Sequence, residues 1–436
     1  MLLHPKKHLS FKALKKAISS QLCQIEDSRQ KGKVVYSLHD CVMSAFAMMY
    51  LQDPSLLAFQ RRIQDRIQRN NLSTIFGVHD IPKDSQLRNV LDALPLETLS
   101  PIFTEFFRNL QRGKHLATYQ LLGGKYLIPI DGSEYFSSEK IHCPHCLYKK
   151  RKKGNIRYSH QILQATIVHP DQRHVLPFSP ESIQNSDGTN KQDCELNAAK
   201  RLIAKIRKSH PKLPIIIGGD GLYSKQPFID ELKAANMSFI LVAKPADHKI
   251  LFEWVKDMFN LNAGEQMTIT DKKGRKHQYR WVNDVPLNGS KDADQVNFFD
   301  YQIITNGKPT YHNSWVTDIT IDKNNIVMLV KAGRARWKIE NETFNTLKNQ
   351  GYHLEHNFGH GRQNLSMIFF MINLVAFYVH QILDLTDPLY QKVRYTKFTS
   401  RKEFWNQLRC TIRILIFPHW QSLMQFIWDP EKGIPP

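Results

Sequence analysis

The stretch KYLIPIDG, Lys125–Gly132, is where the chain changes character. Before it, from Ser10 to about Arg112, runs such as CVMSAFAMMYLQ and LETLSPIFTEFFRNLQ space their apolar residues three and four apart, the period of a helix. From Tyr126 short β-type runs begin: KYLIPIDG, QILQATIV and HVLPFSP. An amphipathic helix is expected from about Asp193 to Ser209, then the run LPIIIGGDG, a helix after Lys225, and the run SFILVAKP. Three strands followed by helix, strand, helix and strand predict a mixed α/β sheet flanked by helices, not an all-α or all-β domain.

The same texture divides the rest of the chain. Between Asp247 and Val330, runs such as QYRWVND, FFDYQIIT and NNIVMLV separated by polar turns predict a β-rich insertion. The helical pattern returns at about Ala332. The expected organisation is a helical N-terminal region (1–120) that contacts DNA, a core (121–246 and 331–390), the insertion (247–330) and a C-terminal helical region (391–436).

Composition bounds the partner. The chain of 436 residues carries 60 Lys+Arg against 40 Asp+Glu, a formal net charge of +20, which favours a polyanion, nucleic acid first, over an acidic or neutral partner. A solvated basic surface is the alternative for Arg61, Arg62, Arg66, Arg69 and Arg88. Six irregularly spaced cysteines do not make a secreted disulfide framework, and the basic N-terminus has no apolar run of signal-peptide length, so a reducing, cytoplasmic location is expected. NLSMIFFMINLVAFYVHQILDL, Asn364–Leu385, is near membrane-spanning length. Ser366, Asn373, His380 and Gln381 interrupt it, and a helix buried inside a large protein accounts for them better than a membrane.

Two apolar runs end on an acid followed by glycine: Asp131 in LIPIDG and Asp220 in PIIIGGDG. Asp-Gly is ordinary turn chemistry, but in α/β sheets functional groups gather at the carboxyl ends of strands. A third acid comes from RARWKIENETFNTLK, Arg334–Lys348. At about 100° per residue, Glu340 shares a helical face with Trp337, Phe344 and Leu347, whereas Glu342 points to the far side. A carboxylate on an apolar face needs compensation, from a metal ion or from Arg336 and Lys348. Three carboxylates on rigid elements suit a pair of Mg²⁺ (or Mn²⁺) ions of the kind that drive phosphoryl transfer.

On these residues the chain resembles the DDE transposases of bacterial insertion sequences, within the ribonuclease H-like superfamily. The resemblance rests on Asp131 in LIPIDGSEY, Asp220 in IIGGDGLYS and the block RWKIENETFNTLK, and on their order with a β insertion between the second and third acids. It implies a ribonuclease H-like core in which Asp131, Asp220 and Glu340 are catalytic and hold two Mg²⁺ ions. The substrate would be double-stranded DNA, terminal inverted repeats and target, bound by a homodimer. Element ends would be cut by water and the freed 3′ hydroxyl joined to the target. One subgroup carries a Tyr-Arg-Glu-Lys signature. Arg336 and Glu340 keep its spacing; Gly333 stands where the tyrosine would be and Leu347 where the lysine would be, with Lys348 one residue later. Arg336 and Lys348 would then contact phosphate. A metal-dependent nuclease that does not join strands, and an inactive DNA-binding protein, are the alternatives.

Other constellations remain. IHCPHC places Cys143 and Cys146 at C-x-x-C spacing, half of a zinc site, with His142, His145, His160 and Cys194 as candidates to complete it, a redox pair or a reduced loop without a ligand being the alternatives. The basic run that follows, KKRKKGNIR, offers Lys149, Lys150, Arg151, Lys152 and Lys153 as DNA-binding residues near the scissile bond, a solvated loop being the alternative. HLEHNFGHG holds His353, His356 and His360, the last two at i,i+4, but its glycines argue for a turn, and Glu355 is a weaker rival for the third acid.

Overall fold

The computed structural model describes residues 7–27, 29–152, 154–185 and 192–431. Its organising element is a mixed sheet. Nine strands form its main path: β1 (Lys125–Ser138), β2 (Leu147–Lys150), β3 (Ile156–Ile167), β4 (Ile215–Gly219), β5 (Ser238–Val242), β6 (Glu265–Thr270), β7 (Lys276–Pro286), β8 (Gln295–Thr305) and β9 (Lys308–Thr317). They lie side by side in the order β2-β3-β1-β4-β5-β9-β8-β7-β6, with three further pieces of two or three residues pairing at β1 and β3. β1, β4 and β5 run parallel, and β3 is antiparallel to β1. Strands in a parallel sheet are covered on both faces, which is why Leu127–Ile130, Ile215–Gly219 and Ser238–Val242 are buried without alternation.

The insertion is not a separate sheet. It opens with a helix, Lys249–Asn260, and its antiparallel strands join the core directly, because β9 pairs with β5 through Trp315↔Val242 and its neighbours. The helical pattern also resumes earlier than expected, at Ile326.

The helices before and after the sheet pack as one body. The side chain of Asn71 donates to the carbonyls of Ile412 and Leu415, Arg409 donates to the carbonyl of Leu51, and the ring of Phe11 lies 5.0 Å from Trp420. Through this body runs Leu365–Thr386, the one described helix long and apolar enough to cross a membrane, and it is almost wholly buried within the protein. Its polar groups find partners there. Asn373 donates to the carbonyl of Tyr352, Gln381 accepts from the Val175 amide, and Asp384 accepts from the Tyr395 hydroxyl. Of the N-terminal arginines, Arg62 is half-buried in an ion pair with Asp53 at 2.6 Å and Arg88 is paired with Asp84 at 2.7 Å, so neither is a spare cation; Arg61, Arg66 and Arg69 are exposed.

Candidate active site

Asp131 does not end its strand, as the Asp-Gly pair suggests. β1 continues to Ser138, with Asp131 opposite Gln164 of β3. What ends near Asp131 is the parallel pairing with β4, whose last couple is Pro129↔Gly218. Asp131 and Asp220 each lie two residues beyond that couple, so the register sets the two acids side by side at the sheet's carboxyl edge. The loop after Asp220 is held by its own side chain, which accepts the Leu222 amide at 2.9 Å, and by Ser224, 2.7 Å from His248 Nε2.

Glu340 arrives from the other side. Arg336 Nη1 lies 3.1 Å from Glu340 and 3.7 Å from Asp131, bridging the two carboxylates. Burial pushes the Asp131 carboxyl up to about 7; Arg336 opposes the shift, while Glu340 and Glu195 add to it. The charge of Glu342 acts instead on Lys338, partly offsetting the lowering that burial imposes on that lysine. The backbone from Ile339 to Phe344 is a π-helix, with i→i+5 hydrogen bonds, a form that recurs at functional sites. This corrects one expectation: Trp337 does not share a buried face with Phe344 and Leu347 but stands half exposed, beneath the Arg336 guanidinium at 5.0 Å from the ring centroid.

A fourth carboxylate joins them. Glu195, in the first turn of the Glu195–Ser209 helix, accepts a hydrogen bond from the buried Tyr223 hydroxyl, and a Cβ at Gly132 would lie 2.5 Å from its Oε2. Gly132 is thus the opening through which Glu195 reaches Asp131. Burial and the charges of Glu195, Asp131 and Asp220 hold the Tyr223 phenol far above its ordinary value, which ties these acids to one locality. The oxygen-only donor set and the surplus of negative charge over Arg336 are chemically suited to a hard divalent cation.

The two departures from the Tyr-Arg-Glu-Lys signature have steric reasons. A Cβ at Gly333 would lie 2.8 Å from the Trp315 indole, so a tyrosine has no room. Leu347 is fully buried, and Lys348 is paired with Glu355 at 3.0 Å, which occupies both the lysine and the rival acid.

The basic run lies farther out than expected. Lys149 and Lys150 are exposed on β2, the sheet's edge strand, and Lys149 pairs with Arg157, seven residues along β3 from Asp131's partner Gln164. At about 3.3 Å per residue that is roughly 20 Å from the acids, too far for the scissile phosphate. Arg151 is paired with Glu139 at 2.8 Å, Lys152 is exposed, and Lys153 lies outside the described residues. Closer to the acids is a groove of about 550 Å³ lined by Tyr279, Tyr301, Tyr311, Lys331, Arg334 and Trp337, with Arg334 4.8 Å from the Tyr311 ring centroid.

Cys143 and Cys146 are met by His160, one of the candidates that the sequence offers, and by His360, which its spacing groups with His356 instead. His142 stacks on Tyr158 and Cys194 is exposed at a helix start, so neither takes part.

The model of the transposase DDE domain family matches residues 139–378, more than half of the chain, and that span contains Asp220 and Glu340 and begins after Asp131. The chain belongs to this family. A search of curated proteins finds no match. Membership supports a transposase role, in a family that implies DNA binding and generally uses divalent metals, and it agrees with the resemblance drawn from the acid-bearing motifs.

Proposed function

We propose that the protein moves an insertion sequence by cutting the element's ends and joining the freed 3′ hydroxyls to target DNA, with Asp131, Asp220 and Glu340 as catalytic metal ligands. The observation that carries this reading is the convergence of Asp131 and Glu340 on Arg336, with Asp220 in register beside Asp131. The five strands around β1 are read as a ribonuclease H-like core that holds the two aspartates rigidly.

Two divalent cations, when bound, would supply Lewis-acid stabilisation of the attacking and leaving oxygens. The chain's own part is positional. Asp131 and Asp220 come from adjacent strands whose pairing sets their spacing. Glu195, pinned by Tyr223, keeps a further carboxylate against Asp131. Arg336 neutralises part of this charge, and with the carboxylates holding cations its guanidinium would be free to face a backbone phosphate. Lys348 would have to leave Glu355 to do the same. The aromatic and cationic groove around Trp337 and Arg334 offers stacking faces and charge to DNA strands entering the site. The exposed lysines of β2 would meet backbone phosphates away from the cut, steadying the duplex without reading sequence.

The test is incubation with Mg²⁺ and a supercoiled plasmid carrying the inverted repeats that flank the coding region. Joined products are expected. Cuts without joining would leave a nuclease, and a bound complex without cleavage would remove the catalytic reading.

A further inference from the structure

We propose that Cys143, Cys146, His160 and His360 form a structural zinc site that clamps the outer end of the β1–β3 arm to the segment leading into the Leu365–Thr386 helix. The two sulfurs lie 3.8 Å apart. His160 Nε2 is 3.5 Å from Cys143 Sγ and 3.4 Å from Cys146 Sγ, and His360 Nε2 is 3.7 Å from Cys146 Sγ. All four ligand atoms lie within 4.8 Å of one another. A tetrahedral zinc about 2.3 Å from sulfur and about 2.0–2.1 Å from imidazole nitrogen sets its ligands about 3.3–3.8 Å apart. Four of the six ligand pairs fall in that span, and the other two lie within 4.8 Å.

The chemistry selects the ion. Two thiolates and two imidazoles favour zinc over the hard cations suited to the acidic centre, and no carboxylate belongs to the set. The sulfurs are too far apart for a disulfide, which needs about 2.05 Å, and both cysteines are free. The four side chains are buried, none more than 8% exposed. Thiols and imidazoles left to hydrogen-bond only with each other satisfy themselves poorly; a metal ion turns that cost into binding energy.

Local backbone prepares each ligand. Cys143 and Cys146 share a tight turn between β1 and β2, in which the Cys146 amide donates to the Cys143 carbonyl at 3.1 Å and the Cys143 amide to Cys146 Sγ at 3.4 Å. His160 projects from β3 opposite Phe136, whose ring lies 4.5 Å from that of His360. On the far side of His360, Asp92 accepts the amides of Arg362, Gln363, Asn364 and Leu365. Two residues after His360 the chain is therefore tied to the helical body, and zinc ties His360 itself to the arm, so the two anchors together fix the entry to the Leu365–Thr386 helix. The role is structural, apart from the acids, and does not rest on the transposition reading.

Metal analysis of the full-length protein, purified without chelators, tests it. The expected result is a single zinc per chain, lost in Cys146→Ala and in His360→Ala and kept in His360→Cys, which preserves four ligands. Exchange of the wild-type protein with Co²⁺ should give thiolate charge-transfer absorption and the visible bands of a tetrahedral site, a readout that does not depend on any variant folding. A strong chelator should lower the melting temperature of the wild type and leave the Cys143→Ala/Cys146→Ala double variant unmoved. A folded wild type without zinc, a Cys143–Cys146 disulfide, zinc retained by the double variant, or no tetrahedral cobalt spectrum would each overturn the site.

Discussion

Arg336 faces two carboxylates at once through Nη1 while its guanidinium covers the Trp337 ring, a stacked arrangement for which lysine is no equivalent. Replacing it with Gln or Lys should lower transposition by roughly 10–100-fold, the usual cost of losing a group that orients metal ligands. The protein should still fold, as circular dichroism can check, and wild-type activity in either variant would remove Arg336 from the site. Glu195→Gln should also reduce activity, with the melting temperature showing whether weakening the Tyr223 hydrogen bond costs stability as well. Asp131 and Asp220 are legible in the sequence because each closes an apolar run before a glycine, and Glu340 because of its phase against Phe344 and Leu347. Glu195 is not. Its only signal is a place in the first turn of an amphipathic helix, and what brings it to Asp131 is the missing side chain of Gly132, an approach across 63 residues of sequence that no local pattern carries.

At the scale of single elements, the π-helix explains why one residue of its neighbourhood is legible and another is not. A uniform 100° step places Glu340 correctly near the acids but buries Trp337, which the wider turn leaves half exposed. The helix before it is shaped by Trp315. Gly333→Tyr, which installs the aromatic of the Tyr-Arg-Glu-Lys signature, should destabilise the protein by about 1–3 kcal/mol or more, because the indole cannot retreat from a packed sheet. An unchanged denaturation midpoint would contradict that packing. On β2 and in the turn after it, converting Lys149, Lys150 and Lys152 to Gln should flatten the salt dependence of DNA binding by close to one unit of slope for each phosphate no longer neutralised. An unchanged slope would mean that these lysines only keep the edge strand soluble.

The whole molecule adds a pH dependence. His380 lies inside the helical body, its ring centroid 4.4 Å from Tyr50 and 4.2 Å from Trp405, with Nδ1 2.6 Å from the Tyr352 hydroxyl. Burial holds its pKa well below the ordinary 6.5, and nearby Arg401 lowers it further while Asp384 opposes. A base with a depressed folded pKa takes up its proton more readily when unfolded. Its contribution to stability is therefore full above about pH 6.5 and is lost as pH falls, by up to about 1.4 kcal/mol per unit. Asp384, whose pKa is lowered by hydrogen bonds from His174 and Tyr395 against the cost of burial, adds an acid loss only below the ordinary carboxylate value. Denaturation midpoints followed from pH 8 to pH 4 should fall below about pH 6.5, and His380→Phe should remove part of that slope. The joining of the N- and C-terminal helices is not legible in the sequence, because helical periodicity shows that each helix has a buried face and not which partner covers it. The insertion's merger with the core sheet escapes for the same reason: pairing between β9 and β5 is long-range.

Of two neighbouring glutamates, the proposed mechanism has Glu340 hold the catalytic ion and Glu342 stand apart. Strand transfer by Glu340→Gln and Glu342→Gln, measured side by side on the same element-end DNA with both variants folded, tests it most directly. Glu340→Gln should lose activity by at least about 10²–10³-fold, comparable with removing a preorganised electrostatic group from an active site, while Glu342→Gln should keep it. Retained activity in Glu340→Gln, or its loss in Glu342→Gln alone, would contradict the account.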